Sequence, residues 1–197
     1  DSAKKIGNID TLWIDAAWFT KGFMGGVGNY TCAEGFPNGL QPVSDYAHKN
    51  GMRFLVWFEP ERVTDPENLA KNYGYDPSWA IVMEGEKTIS NNIGDPACLK
   101  WVTDRICNML RENRVELYRE GNNCDAAKLW LYMDSLEGDD RKGITECKFI
   151  AGHYQMWDDI IACTKSYGGC AFVDSCASGG GRNDLESLRR GVPLLRS

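Results

Sequence analysis

The sequence lacks several features that would point directly to a class of function. It has only two histidines, and none of its eight cysteines forms a CxxC pair, which argues against a structural zinc site. No apolar run approaches the ~20 residues of a bilayer-spanning helix. The formal net charge of −6 leaves no basic excess for binding nucleic acid. We therefore expect no metal, no nucleic-acid partner and no membrane contact.

The eight cysteines are scattered along the chain and do not suggest a disulfide framework. Some of them, such as Cys107 and Cys163, fall within predicted helices, where a free buried thiol is the simplest interpretation. A metal- or redox-active cysteine protein therefore has little support from the spacing. Residues 1–5 are polar and do not form the apolar core of a signal peptide. Together these features predict a reducing, cytoplasmic location.

What the sequence does have is enough apolar material for the core of one domain, with 43% hydrophobic and 11% aromatic residues. Short apolar runs alternate with helical patterns along the chain. The predicted strands cover residues 12–15, 53–58, 115–118, 171–174 and 192–195, and the main predicted helices cover residues 43–50, 96–110, 154–167 and 185–190. This alternation is typical of an α/β fold with a parallel sheet and right-handed crossovers.

Polar residues cluster directly after the predicted strands. Asp15, Glu59, Arg119 and residues 174–184 all stand at such positions. A (β/α)8 barrel and a doubly wound sheet both bind ligands at the C-terminal ends of their strands. No GxGxxG follows the first strand, and the glycine-rich loop at residues 25–28 has no P-loop lysine, which favours the barrel.

The strand count predicts that this barrel is incomplete. About five strands are visible where a full barrel has eight. We therefore predict that residues 1–197 form a single partial (β/α)8 barrel domain, with the last barrel units and the flanking domains missing.

A run of three glycines marks a second candidate feature. Residues 176–184 read CASGGGRND and directly follow the last strongly apolar run. Bare backbone allows a ligand to approach closely, because no Cβ stands in the way. Arg182 and Asp184 add a fork of donors and a carboxylate acceptor, a lining that suits a sugar. The alternative is a flexible loop.

Several segments of the chain resemble one known family. They are WIDAAWF at residues 13–19, FPNGL at 36–40, WFEPE at 57–61, residues 115–123, and the glycine-rich segment at 176–184. Their order is similar to that of the melibiase-type α-galactosidases, glycoside hydrolase family thirty-six. The resemblance implies a catalytic (β/α)8 barrel that hydrolyses terminal α-galactosides, or related α-linked sugars, with retention. It implies one aspartate as nucleophile, another as acid/base, and no cofactor.

The sequence departs from the family pattern at both catalytic positions. The family nucleophile lies in a motif Y-[KR]-x-D-x-N, whereas residues 118–123 read YREGNN, so Gly121 stands in its place. Glycine has no side chain that could form a covalent intermediate. The family acid/base follows a segment like Arg196-Ser197, where this sequence stops. Glu120 should face away from the pocket, because adjacent side chains along a strand point to opposite faces. Asp125 is then a weak candidate to replace the missing nucleophile. We expect residues 1–197 to be inactive.

The resemblance also implies a set of substrate-binding residues. These are Asp15, Trp57, Glu59, Arg119, Asn123, Cys176, Gly179 and Arg182. Trp57 would offer an apolar face to a sugar ring, with a plain core position as the alternative. Cys176 is assigned a packing role beside the ligand in preference to that of a catalytic thiol.

The expected partner is therefore an α-galactoside or a similar carbohydrate. We also consider a homo-oligomer of the full-length protein. The competing hypothesis is a degenerate paralogue that binds carbohydrate without hydrolysing it, for which the loss of the nucleophile at Gly121 is natural.

Overall fold

The protein consists of eight short strands and eight α-helices in the part of the chain that a computed structural model describes, residues 2–176 and 181–193. In chain order the strands are β1 (Thr11–Ile14), β2 (Arg53–Phe58), β3 (Arg62–Val63), β4 (Ala80–Val82), β5 (Ile89–Asn91), β6 (Leu117–Glu120), β7 (Val173–Ser175) and β8 (Gly191–Val192). The helices are α1 (Ser2–Gly7), α2 (Gly22–Gly26), α3 (Gln41–Lys49), α4 (Pro66–Tyr73), α5 (Pro96–Glu112), α6 (Ala126–Glu137), α7 (Ile144–Ser166) and α8 (Leu185–Arg190).

Five of the strands form one parallel sheet. Their order is β1-β2-β6-β7-β8, so each strand pairs with the next main-sheet strand along the chain. A doubly wound sheet reverses its strand order at a switch point, whereas a (β/α)8 barrel adds its strands in sequence. Among the described residues no pairing joins β8 back to β1, so the sheet is open. The predicted fold class, an incomplete (β/α)8 barrel, is confirmed.

The ends of several elements differ from the prediction. β6 begins later than the predicted strand at 115–118, because the N–H of Val115 still bonds the carbonyl of Leu110 at the end of α5 (2.9 Å). α7 begins well before residue 154, since Gly143 takes the left-handed conformation (φ 87°) that starts this helix of 23 residues. Among the described residues, no helix is both long and apolar enough to cross a membrane.

The last two main-sheet strands begin at other residues than predicted. β7 begins two residues after the start of the predicted strand at 171–174. β8 begins one residue before the predicted strand at 192–195. Residues 194 and 195, the second half of that predicted strand, lie outside the described part of the chain.

A second, antiparallel sheet of three strands, ordered β3-β5-β4, lies between β2 and α5 in the chain and was not predicted. Its strands are two or three residues long, too short to show a period-two pattern. Asn91 joins this sheet to the end of β2, because its side-chain amide donates to the carbonyl of Pro60 (2.7 Å). The small sheet is thereby fixed beside the C-terminal end of the main sheet.

The main core lies on one face of the parallel sheet. Along β2, Phe54, Val56 and Phe58 alternate with the residues of the other face, and all three are buried. They belong to the same apolar cluster as Ile106 of α5 and Trp157 of α7. The helices therefore cover this face, and the intervening β2 residues point to the opposite, inner side of the sheet.

Candidate active site

The C-terminal ends of four parallel strands meet at one edge of the main sheet, which we call the rim. Asp15 directly follows β1, Glu59 follows β2, Gly121 follows β6 and Cys176 follows β7. Since β1, β2, β6 and β7 are all parallel neighbours, the structure brings these predicted residues to the same edge. This is the edge where a (β/α)8 barrel carries its active site.

Arg119 lies on the inner face of the sheet, next to Asp174 of β7. The two residues are register partners on neighbouring strands, and Arg119 Nη1 lies 2.5 Å from Asp174 Oδ2. Both side chains are almost fully buried, at 2% and 0% exposure. The guanidinium also stacks over the ring of Trp13, 4.4 Å from its centre. The predicted sugar contact of Arg119 stays a prediction, and here its charge is balanced by a buried carboxylate.

Glu59 is buried and accepts several hydrogen bonds. Its two oxygens accept from Arg62 Nε (2.9 Å) and Nη2 (2.5 Å). They also accept from the backbone N–H (2.9 Å) and the side-chain amide (3.0 Å) of Asn123. The structure therefore brings two predicted binding residues into direct contact, with Glu59 holding the loop that follows Gly121.

Arg182 connects three segments of the rim. It pairs with Glu61 after β2, and it donates to Asn122 Oδ1 (3.0 Å) and to the carbonyl of Cys124 (3.1 Å) after β6. Burial raises the pKa of Glu61, and the nearby Arg182 opposes this shift. The predicted sugar-binding role of Arg182 stays untested, and its contacts here fix the loops around Gly121.

Trp57 occupies the space beside Gly121. A Cβ added to Gly121 would overlap Cζ2, Cε2 and Nε1 of the Trp57 indole. The indole is 3% exposed, and its ring lies 5.7 Å from that of Phe23 and 6.3 Å from that of Phe19. The position that the resemblance assigns to a nucleophile therefore contains no carboxylate and no open space for one. The sequence motifs at residues 57–61 and 118–123 did not reveal this contact, because it joins the ends of two different strands.

The remaining predicted residues lie at different depths. Asp15 is exposed at the end of β1, where its carboxylate accepts from the N–H of Ala16 (2.7 Å). Asp125 is the N-cap of α6, exposed and bonded to the N–H of Lys128 (3.2 Å). Cys176 is half-buried, and its N–H donates to the carbonyl of Glu120 (3.0 Å). Gly179 lies outside the described residues. Within the described ranges, no three His, Cys, Asp or Glu side chains are grouped as a metal site.

Behind the rim, on the helix side of the sheet, lies a buried acid–histidine pair that the sequence did not indicate. Glu120 faces away from the inner side as predicted, and its Oε2 accepts from Tyr118 Oη and Trp157 Nε1, both at 2.7 Å. Its other oxygen lies 3.4 Å from Nδ1 of His153. Burial raises the pKa of Glu120 to about 7 and lowers that of His153 to about 4. The His153 side chain is itself buried, at 8% exposure.

Replacing Glu120 with glutamine should change how stability depends on pH. In the unfolded chain Glu120 ionises near 4.5, whereas in the folded protein it keeps its proton up to about pH 7. Ionisation therefore favours the unfolded state as the pH rises between these values. Relative to the natural chain, the free energy of unfolding of Glu120→Gln should increase by about 3 kcal/mol between pH 4.5 and 7.

Urea unfolding at a series of pH values measures this difference. His153 acts in the opposite direction, since only the unfolded chain binds its proton between pH 4 and 6.5, and its contribution is common to both proteins. Glu137→Gln, at an exposed carboxylate of α6, is the control and should run parallel to the natural chain. Parallel curves for Glu120→Gln as well would mean that Glu120 titrates normally.

Comparison with known proteins connects this geometry to one family. The sequence model of the Melibiase family matches residues 1–191. The α-galactosidase Mel36A of Lactobacillus acidophilus is 24% identical over 194 residues, covering 94% of this chain and 25% of the relative. An α-galactosidase of Escherichia coli is 28% identical over 192 residues, covering 92% of this chain and 25% of the relative. The chain thus spans about a quarter of the length of these relatives.

Solved structures show the same fold. The α-galactosidase from Lactobacillus brevis superposes with a TM-score of 0.71 at 22% identity, covering 96% of this chain and 25% of that one. A variant of the α-galactosidase AgaA from Geobacillus stearothermophilus, in complex with stachyose, gives a TM-score of 0.70 at 19% identity, covering 95% and 26%. A second AgaA variant was solved in complex with raffinose.

Proposed function

Because the chain belongs to the melibiase family, we propose that it is the sugar-recognising part of an α-galactosidase-type barrel and that, as given, it does not hydrolyse its ligand. The family chemistry implied for the barrel is retaining hydrolysis of terminal α-galactosides or related α-linked sugars. The observation that supports the absence of hydrolysis is the rim itself, where Gly121 follows β6 and the Trp57 indole fills the space beside it.

Retaining hydrolysis needs two carboxyl groups ~5 Å apart, one attacking and one delivering a proton. Three buried acidic side chains near the rim, Glu59, Glu61 and Asp174, are each paired with an arginine. Breaking such a pair leaves an uncompensated buried charge, so these groups are poor nucleophiles. Asp15 differs because it is exposed and accepts a backbone bond from the adjacent residue. It is the rim carboxylate best placed to accept hydrogen bonds from sugar hydroxyls.

The ligand class follows from the family and from the relatives. Forms of AgaA hold stachyose and raffinose, and we infer the same class of oligosaccharide for this chain. The second candidate function, a paralogue that binds carbohydrate without turning it over, is supported by the packing of Trp57 against Gly121.

Calorimetric titration of the full natural chain with raffinose, together with an assay on an aryl α-galactoside, tests the proposal. We expect binding without turnover. Asp15→Asn should weaken binding by about tenfold, the scale of one hydrogen bond to a charged acceptor. Asp10→Asn is the matched control, because Asp10 is also exposed but precedes β1 at the opposite end of the strand.

The possible results separate the parts of the proposal. Turnover by the unmodified chain would show that the nucleophile is elsewhere, and Asp125 would be the first residue to replace. Absence of raffinose binding would contradict sugar recognition. An equal loss of raffinose affinity in Asp15→Asn and Asp10→Asn would contradict the assignment of sugar binding to the rim.

A further inference from the structure

Two cysteines face each other on the outer surface of the barrel, away from the rim. Cys107 lies on α5 and Cys163 on α7, and the Cys163 thiol donates to the carbonyl oxygen of Cys107 at 3.6 Å. Both thiols are reduced, and both residues are 8% exposed. They line one groove of about 520 Å³ between the two helices. Each thiol therefore has the other as its neighbour and a path to solvent.

The charged surroundings favour a thiolate at Cys163. Arg111 lies one turn after Cys107 on α5, and its Nη2 donates to Cys163 Sγ at 3.6 Å. A hydrogen bond from the Cys107 thiol, and then the charge of Arg111, lower the pKa of Cys163, while the same hydrogen bond and burial raise that of Cys107. The other titratable groups facing the pair are Lys100 and Asp104 from α5, Asp159 from α7, and Tyr167 directly after α7. One sulfur is thus prepared to attack and the other holds the proton.

We propose that Cys107 and Cys163 form a reactive dithiol that a low-molecular-weight disulfide oxidises to a disulfide bridge between α5 and α7. The Cys163 thiolate attacks one sulfur of the small disulfide, forms a mixed disulfide and releases one small thiolate. Cys107 then loses its proton and attacks the Cys163 sulfur, which releases the second small thiolate. Two protein thiols are oxidised, and one small disulfide is reduced to two thiols.

Other cysteines of the chain show what distinguishes this pair. Cys98 also lies on α5, but it is fully buried, and burial raises the pKa of its thiol to about 12. Such a thiol is inert to exchange. Cys147, near the start of α7, is exposed and provides the opposite comparison, an accessible thiol outside the groove. Neither combines access, a cationic neighbour and a second thiol.

The test is oxidation of the fully reduced natural chain by glutathione disulfide at pH 7, followed by peptide mass mapping. We expect a linked Cys107–Cys163 peptide pair that a dithiol reductant separates again. Cys107→Ser should instead accumulate a mixed disulfide on Cys163, because the resolving thiol is absent. Arg111→Met should slow the first step by less than about threefold, the slowing expected if the whole lowering of the Cys163 pKa were lost. The hydrogen bond from Cys107, which is the larger cause of that lowering, remains in this variant. Cys147→Ser is the control and should form the pair normally.

Mapping of the unmodified chain decides the proposal even where a variant fails to fold. A mixed disulfide that persists on Cys163 in the natural chain would overturn it, because it would show that Cys107 cannot reach the sulfur. Cys107 and Cys163 remaining reduced while Cys147 is modified would overturn it as well. An unchanged rate in Arg111→Met would remove the guanidinium from the account of Cys163 reactivity.

Discussion

Gly121→Asp alone should leave the full natural chain without α-galactosidase turnover, whereas the same substitution combined with Trp57→Phe should produce it. The aspartate needs the volume that the Trp57 indole fills, and overpacking of this kind costs about 1–3 kcal/mol. A phenyl ring is shorter than the indole and frees space where the two overlap. The expected gain is up to about 10⁶-fold in kcat, the scale on which removing a catalytic nucleophile acts.

Retaining hydrolysis also needs a second carboxyl group that delivers the proton, so the assay is made on the full natural chain. Trp57→Phe alone is the control and should stay inactive, since it adds no nucleophile. Urea unfolding of Gly121→Asp should show the cost of overpacking, and the double variant should show it reduced. Full turnover by the single Gly121→Asp variant would show that the indole moves aside freely.

Rescue of activity by small anions provides a second test of whether the space beside Gly121 is filled. Azide or formate rescues an enzyme when it can occupy the volume left by a missing carboxylate. In this protein the indole occupies that volume, so neither anion should rescue the natural chain on an activated aryl galactoside. Trp57→Phe should become sensitive to azide. Rescue of the natural chain would contradict the steric account of Gly121.

Asp174→Ala should lower the free energy of unfolding by about 3–5 kcal/mol, because it leaves the Arg119 guanidinium buried without its carboxylate. Urea unfolding near neutral pH measures the change. A double variant, Arg119→Met with Asp174→Leu, should recover most of the loss, since a buried ion pair is often replaceable by apolar side chains of similar volume.

Asp158→Ala is the matched control for this loss. Asp158 also pairs with an arginine, Arg190, but its side chain is 50% exposed. Exposed ion pairs contribute less than about 1 kcal/mol, so this variant should change stability little. Similar losses for Asp158→Ala and Asp174→Ala would show that burial is not what makes the Arg119 pair important.

The sequence predicts the main sheet well because short apolar runs with polar residues at their ends carry the signal. β2, with five consecutive buried residues from Phe54 to Phe58, is the clearest case, and its predicted limits match the structure. The small antiparallel sheet was missed because two- and three-residue strands have no detectable period. The start of α7 was missed because the signal lies in the backbone conformation of Gly143.

The site was predictable in its location but not in its pairing. Asp15, Glu59, Gly121 and Cys176 could each be placed at the rim from the strand that directly precedes them. The sequence could not predict which carboxylate pairs with which arginine. Arg62 lies three residues from Glu59, whereas Arg182 is 121 positions away from Glu61 in the chain. Contacts of such different range depend on the three-dimensional path of the loops. The packing of Trp57 against Gly121 has the same origin.

The order of the main sheet also determines how the chain can assemble during synthesis. Each strand of the main sheet pairs with the main-sheet strand that precedes it in the chain, which the ribosome has already produced. Among the described residues, no main-sheet strand pairs out of this order. Because synthesis proceeds at about 5–20 residues per second, β1 and β2 can pair, and α3 can pack on β2, while later units are still being translated. Each new unit then extends an existing edge, so slow pairing between distant ends of the chain is not needed for growth of this sheet.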